Sequence, residues 1–221
     1  MRNVFVQCGL NHTLEYGLLA TDNFKEEAYK VEHTKYYVPS ILLNSDSPYI
    51  VIGVDMNREK NDVLRDTYKH NPRIYIWDYA IWHENIKSFT THGEFGAIRE
   101  YMGDDEKPRV ASVPAITLNT LFSKVYELPD LHDADIRGLH LNIESSEMNA
   151  LQGVDWEGFP YPDVIRISTY HWHNPDIDMQ SRKYCVETLQ EKGYELCDDP
   201  RDRPTNTNCS TLEFARFYLK R

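Results

Sequence analysis

No apolar run in this chain comes near the roughly 20 residues that span a bilayer, so no membrane partner is expected. The opening MRNVFVQCG runs straight into a strand-like stretch and leaves no room for a signal peptide, which makes a cytoplasmic protein the expectation. Positive charge is scarce. Lys and Arg total 24 against 35 Asp and Glu, a formal net charge of -11 that works against a phosphate backbone or an anionic surface, so nucleic acid is not expected as a partner. The four cysteines (Cys8, Cys185, Cys197, Cys209) form no C-x-x-C pair and read as reduced, partly buried thiols. There is no internal repeat and no low-complexity tract. The G-x-G-x-x-G turn and the Tyr-x-x-x-Lys pair are also missing, which disfavours a nicotinamide-dependent oxidoreductase.

What is present is an alternation of short apolar runs with amphipathic stretches, the pattern of an α/β domain with a mainly parallel sheet. At 221 residues one globular unit, 1–221, is expected. NVFVQCGLNHT (Asn3 to Thr13) reads as a strand ending in a turn on Gly9, where a ligand could approach the backbone with no Cβ in the way. YIVIGVDMN (Tyr49 to Asn57) is a second strand that stops on Asp55, an acid placed to take both hydroxyls of a ribose. Between them, 14–35 is rich in charge and aromatics and reads in part as a lid, and Tyr36 to Leu43 offers a helix-like apolar face. A helix over Arg58 to Lys69, a strand Arg73 to Trp77 ending on Asp78, and a mobile loop around 91–108 follow. The remaining expectations are a strand Val110 to Ile116, a helix capped by Thr117, a strand Gly138 to Ile143, a short helix Ser146 to Gln152, and a strand Asp163 to Ser168. A helix over Asp178 to Lys192 and two closing strands, Tyr194 to Cys197 and Thr211 to Tyr218, complete the chain.

Taken in order, these strand ends resemble the FkbM-type family of S-adenosylmethionine-dependent methyltransferases. Against the family's D-x-G-A-N-x-G turn, Gly9 and Asn11 match while Gln7 and Thr13 do not. Asp55 with Asn57, and then Ala80 and Ile81, fall where the second and third strands of the family end. The longest likeness pairs Thr117, Leu118, Asn119 and Leu121 with LHLNIESSEMNALQG, which keeps Glu144, Glu147, Leu151 and Gly153. Asn119 and Asn142 stand where the family has Asp, and Ser145 where it has Gly. The resemblance implies a Rossmann-like doubly wound sheet of mostly parallel strands with an antiparallel C-terminal strand, the class I methyltransferase fold. It further implies S-adenosyl-L-methionine as cofactor and O-methylation of a hydroxyl on a sugar or glycan. The donor would be held by Gln7, Gly9, Asn11, Asp55, Met56, Asp78, Tyr79, Ala80 and Asn142. An amide at 142 is a poorer ligand for a hard cation than a carboxylate, so no metal is expected.

Methyl transfer needs an aligned acceptor, excluded water and a base for a weakly nucleophilic hydroxyl. His171 and His173 in STYHWH, just past the fifth strand, are the candidate bases, His171 favoured, with Glu144 as a further catalytic candidate. Plainer readings stand beside these. Asp55 could cap the next helix, Asp78 could cap a turn rather than accept the adenine amino group, and Glu147 could be a carboxylate stabilising a helix start. A non-catalytic protein of the same fold, binding a glycan or protein partner, is the alternative that the departures at Gln7, Thr13 and Asn142 motivate.

Overall fold

The structure is a computed structural model and describes residues 2–10, 28–30, 37–39, 49–89, 113–143, 146–168, 175–197 and 214–220. In chain order these form β1 (Asn3–Cys8), β2 (Ala28–Lys30), β3 (Tyr37–Pro39), β4 (Tyr49–Asp55), α1 (Arg58–Tyr68), β5 (Ile74–Asp78), β6 (Ala80–Ile81) and β7 (Ile86–Phe89). They continue with β8 (Val113–Ile116), α2 (Leu118–Tyr126), β9 (Asp135–Leu141), α3 (Glu147–Gln152), β10 (Val164–Ser168), α4 (Pro175–Glu191), β11 (Tyr194–Cys197) and β12 (Phe214–Leu219).

Among the described residues seven strands make the central sheet, in the order β11-β12-β10-β9-β1-β4-β5. Its β9, β1, β4, β5 and β10 ladders are parallel, and β12 runs antiparallel to both its neighbours. This is the expected Rossmann-like, doubly wound α/β sheet with an antiparallel C-terminal strand. The chain builds outward from β1 through β4 to β5, then returns to lay β9 and β10 on the other side of β1. Right-handed crossovers on the two sides therefore place α1 on one face and α3 on the opposite one. The order reverses between β1 and β9, and such a switch point is where open α/β sheets bind ligands.

Side chains alternate along each strand, and paired residues share a face. Val4, Val6 and Cys8 of β1, Ile50, Ile52 and Val54 of β4, Leu139 and Leu141 of β9, and Ile165 and Ile167 of β10 form the main core. Leu118, Leu121, Phe122 and Val125 of α2, with Ala150, Leu151, Cys185 and Leu189, close that core from above. Each fully buried Leu or Ile contributes about 1.5–3 kcal/mol. The helices are stopped and started by local chemistry. Asn57 Oδ1 accepts from the Lys60 N–H (3.2 Å) to cap α1, and Thr117 caps α2 through the Thr120 N–H (3.2 Å), as its position predicts. Gly193, at φ +90°, ends α4.

One expectation needs correction. Residues 37–39, read as part of a helix-like face, form a strand paired with 28–30. The aromatic and β-branched pair Tyr37–Val38 favours an extended chain, and Pro39 does not continue a helix. Ile86–Phe89, for which the sequence suggests no element, pairs with Val113–Ile116 in a small sheet of order β6-β8-β7.

Asn119 uses both ends of its amide. Its Nδ2 donates to the Asp155 carbonyl (2.8 Å) while its Oδ1 accepts from the Asp155 N–H (2.9 Å), a two-pronged clamp that a carboxylate cannot make. Asn119→Asp is expected to cost about 1 kcal/mol and lower the melting temperature by about 2–4 °C, checked by calorimetric unfolding.

On the face opposite the main core, Gln7, His140, Arg166 and Arg216 stand in register across β1, β9, β10 and β12, and all are buried. Burial, reinforced by Arg166 and Arg216, holds the His140 pKa well below its ordinary 6.5. The folded imidazole stays neutral while the unfolded chain takes up a proton below that value. Stability is therefore full above about pH 6.5 and falls below it by up to about 1.4 kcal/mol per unit, until the folded imidazole itself titrates. In urea titrations across that window, His140→Gln should show a correspondingly shallower loss than wild type.

Candidate nucleoside site at the sheet's switch point

The tips of β1 and β9 meet at a glycine. The Gly9 N–H extends the ladder to the Val54 carbonyl (2.8 Å), and the Asn142 N–H extends the other ladder to the Cys8 carbonyl (2.9 Å). A Cβ on Gly9 would lie 1.7 Å from the Asn142 carbonyl oxygen, and φ is +83°. The sequence reading assigned this glycine to close approach by a ligand. The structure gives a different reason, since the space of the missing Cβ is filled by the backbone of the neighbouring strand. Gly9→Ala combines left-handed strain with that clash and should cost more than about 2 kcal/mol, read as a lowered urea midpoint.

Asp55 closes β4 beside this turn. Its Oδ2 accepts the Leu10 N–H (2.8 Å) and its Oδ1 the Asn57 N–H (2.8 Å), so the carboxylate is oriented by the turn after β1 and by the start of α1. Each carboxylate oxygen has two acceptor positions, which leaves one on each oxygen of Asp55 among the described residues. The expected alternative, a side-chain helix cap, falls instead to Asn57. Asp78 is the ladder partner of Asp55, and the two acids share the α1 face. Arg65 holds Asp78 at both oxygens (Nη1 to Oδ1 3.0 Å, Nη2 to Oδ2 3.3 Å), and Arg58 Nε stands 3.8 Å from Oδ2. That hydrogen bonding in turn raises the Arg65 pKa.

The other expected donor-binding residues are distributed around these tips. Gln7 is buried, its Nε2 donating to the Gly9 carbonyl (3.3 Å). Met56 packs with Ala80, Trp82, Val113 and Ala115 against the small sheet. Tyr79 stands edge-on to Trp77, with Lys124 Nζ 5.7 Å from its ring centre. Asn142 is half-buried beside Gly9. Glu147 is fully buried, and its Oε1 accepts the Ile143 N–H (2.8 Å), so it braces the turn that follows β9. Asn11, Glu144, His171 and His173, the lid segment over most of 14–35 and the loop 91–108 lie outside the described residues. Among the described residues no group of three or more His, Cys, Asp or Glu is placed to hold a metal ion.

Sequence reasoning missed Asn61, Arg58 and Arg65. The available signal was a polar residue on the apolar stripe of α1: Asn61 precedes Leu64 and Tyr68 at helical spacing, and all three are buried.

Neither a family model nor a curated protein matches this chain. Solved structures do. The chain is similar to the methyltransferase FkbM from Methylobacillus flagellatus KT. That match is 14% identical, covers 99% of this chain and 43% of the other, and has a TM-score of 0.47. A TehB-like SAM-dependent methyltransferase from Corynebacterium glutamicum is 11% identical over 99% of this chain and 80% of its own, with a TM-score of 0.37. Fibrillarin from Aeropyrum pernix, solved with natively bound S-adenosyl-L-methionine, is 11% identical over 78% of this chain and 56% of its own, at 0.36. The chain thus spans less than half the length of the FkbM protein. At such identities and scores the likeness bears on neither residue roles nor substrate.

Proposed function

We propose that this protein binds S-adenosyl-L-methionine and transfers its methyl group to a hydroxyl of a sugar or glycan. The observation that carries the donor reading is the Asp55 carboxylate. Two backbone amides fix its orientation beside the switch-point glycine, and one acceptor position on each oxygen suits the two hydroxyls of a ribose. Asp78, next to it on β5, would take the adenine amino group, and Asn142 and Gly9 would border the methionine arm. The acceptor class and the roles of His171, His173 and Glu144 rest on the sequence resemblance.

Titration of cofactor-free protein with S-adenosylhomocysteine tests the donor reading. Wild type should bind, and Asp55→Ala should bind about 100-fold more weakly, since it removes two bonds to a charged group. No binding by wild type, or no difference between the two proteins, overturns it. Methyl transfer from labelled donor to a panel of sugars then separates an enzyme from the second reading, a non-catalytic binder. That second reading draws on the uncharged Gln7 and Asn142 at positions where the resembled family carries acids. Donor binding with no turnover on any sugar favours it.

A further inference from the structure

Asn61 sits at the junction of the two acids. It is fully buried on α1, and its Nδ2 donates to the Asp55 carbonyl (2.8 Å) and to Asp78 Oδ1 (2.6 Å), with the Trp77 carbonyl at 3.4 Å. The β4–β5 ladder ends at the pair Asp55 and Asp78, so among the described residues no ladder bond beyond it fixes one tip against the other. Two carboxylates ending neighbouring strands on one face repel each other, and a donor between them offsets that repulsion. Among the described residues the buried Asn61 Oδ1 has no donor. An apolar side chain of similar size would avoid that penalty and continue the stripe of Leu64 and Tyr68, so the amide is not explained by packing.

From this we infer that Asn61 is a positioning residue for nucleoside recognition: it locks the tips of β4 and β5 so that Asp55 faces the ribose and Asp78 the adenine amino group in one fixed relation. The inference rests on the nucleoside reading above. Acceptor counting supports it. Among the described residues Asp78 Oδ1 is filled by Asn61 and Arg65, whereas Oδ2 has one hydrogen bond, from Arg65, with Arg58 Nε at 3.8 Å, and keeps a second acceptor position. Asn61 thus sets which oxygen of Asp78 is left to read a base. Without it, the carboxylate is held by the Arg65 fork and the longer Arg58 contact (3.8 Å), and the acid can turn about that fork.

The test compares S-adenosylhomocysteine with S-inosylhomocysteine, in which a carbonyl replaces the amino group, by calorimetry on the full chain. Wild type should prefer the adenine ligand. In Asn61→Leu that preference should fall about 10-fold, the scale of one hydrogen bond to a charged group, while the unfolding midpoint holds. Asn61→Ala serves as the second variant should the leucine not fit. Leu64→Ala, one turn along the same helix, should lose stability and keep the preference, which separates positioning from general loosening. An unchanged preference in a folded Asn61 variant overturns the inference and leaves the nucleoside reading standing. Absence of binding to either ligand by wild type overturns both.

Discussion

Everything at the candidate site depends on how closely β1 and β9 approach at their carboxyl ends. Parallel pairing carries both ladders one step past the last strand residue, through Gly9 to Val54 and Asn142 to Cys8. That step brings the Asn142 carbonyl into the volume a side chain on residue 9 would need. Glycine at position 9 is therefore demanded by the sheet before any ligand is considered. Its left-handed turn also points the next amide, that of Leu10, across to Asp55. A constraint of strand packing thus fixes the direction of a carboxylate two strands' width from β9. Whatever that carboxylate binds, its direction is set in advance by the packing of the strands.

A second layer of order comes from α1. One helix face carries Arg58, Asn61 and Arg65 toward Asp78, while Asn57 caps its first turn through the Lys60 N–H and is itself held by Asp55. The helix that follows β4 therefore serves two ends. It covers the sheet with Leu64 and Tyr68, and it balances two adjacent acids that would otherwise repel at the strand tips. Because one element does both, the acidic pair is tied to core packing rather than to a surface loop.

Much of this was legible in the sequence, for identifiable reasons. Apolar runs that stop on Gly9, Asp55 and Asp78 announce strand ends, and Thr117 and Gly193 punctuate helices whatever surrounds them. Less visible was what each residue faces. LHL, VIRIS and the strand beginning FAR alternate apolar and polar positions, which by itself reads as a half-solvated sheet, yet His140, Arg166 and Arg216 are buried. Alternation tells which residues share a face and not what covers that face. Asn61 was hidden for a related reason. On a helix rich in charge, one more polar residue looks solvated until the fold turns it toward the strand tips. Asn119 looked like a lost acid, and its clamp on Asp155 depends on a partner 36 positions away that no local pattern reveals.

The same geometry separates the candidate ligands on electrostatic grounds. A dinucleotide needs free backbone amides after a glycine-rich turn, because its pyrophosphate is held by those N–H groups. Here the first amide beyond Gly9 is already committed to Asp55, and the amide of Asn57 is committed to the same carboxylate. A phosphate brought to that turn would meet a carboxylate in place of donors. A nucleoside whose arm carries a sulfonium and no phosphate brings positive charge to the same place. The interaction that disfavours a dinucleotide is thus the one that orients the ribose acceptor, and on the proposed reading a single carboxylate accounts for both.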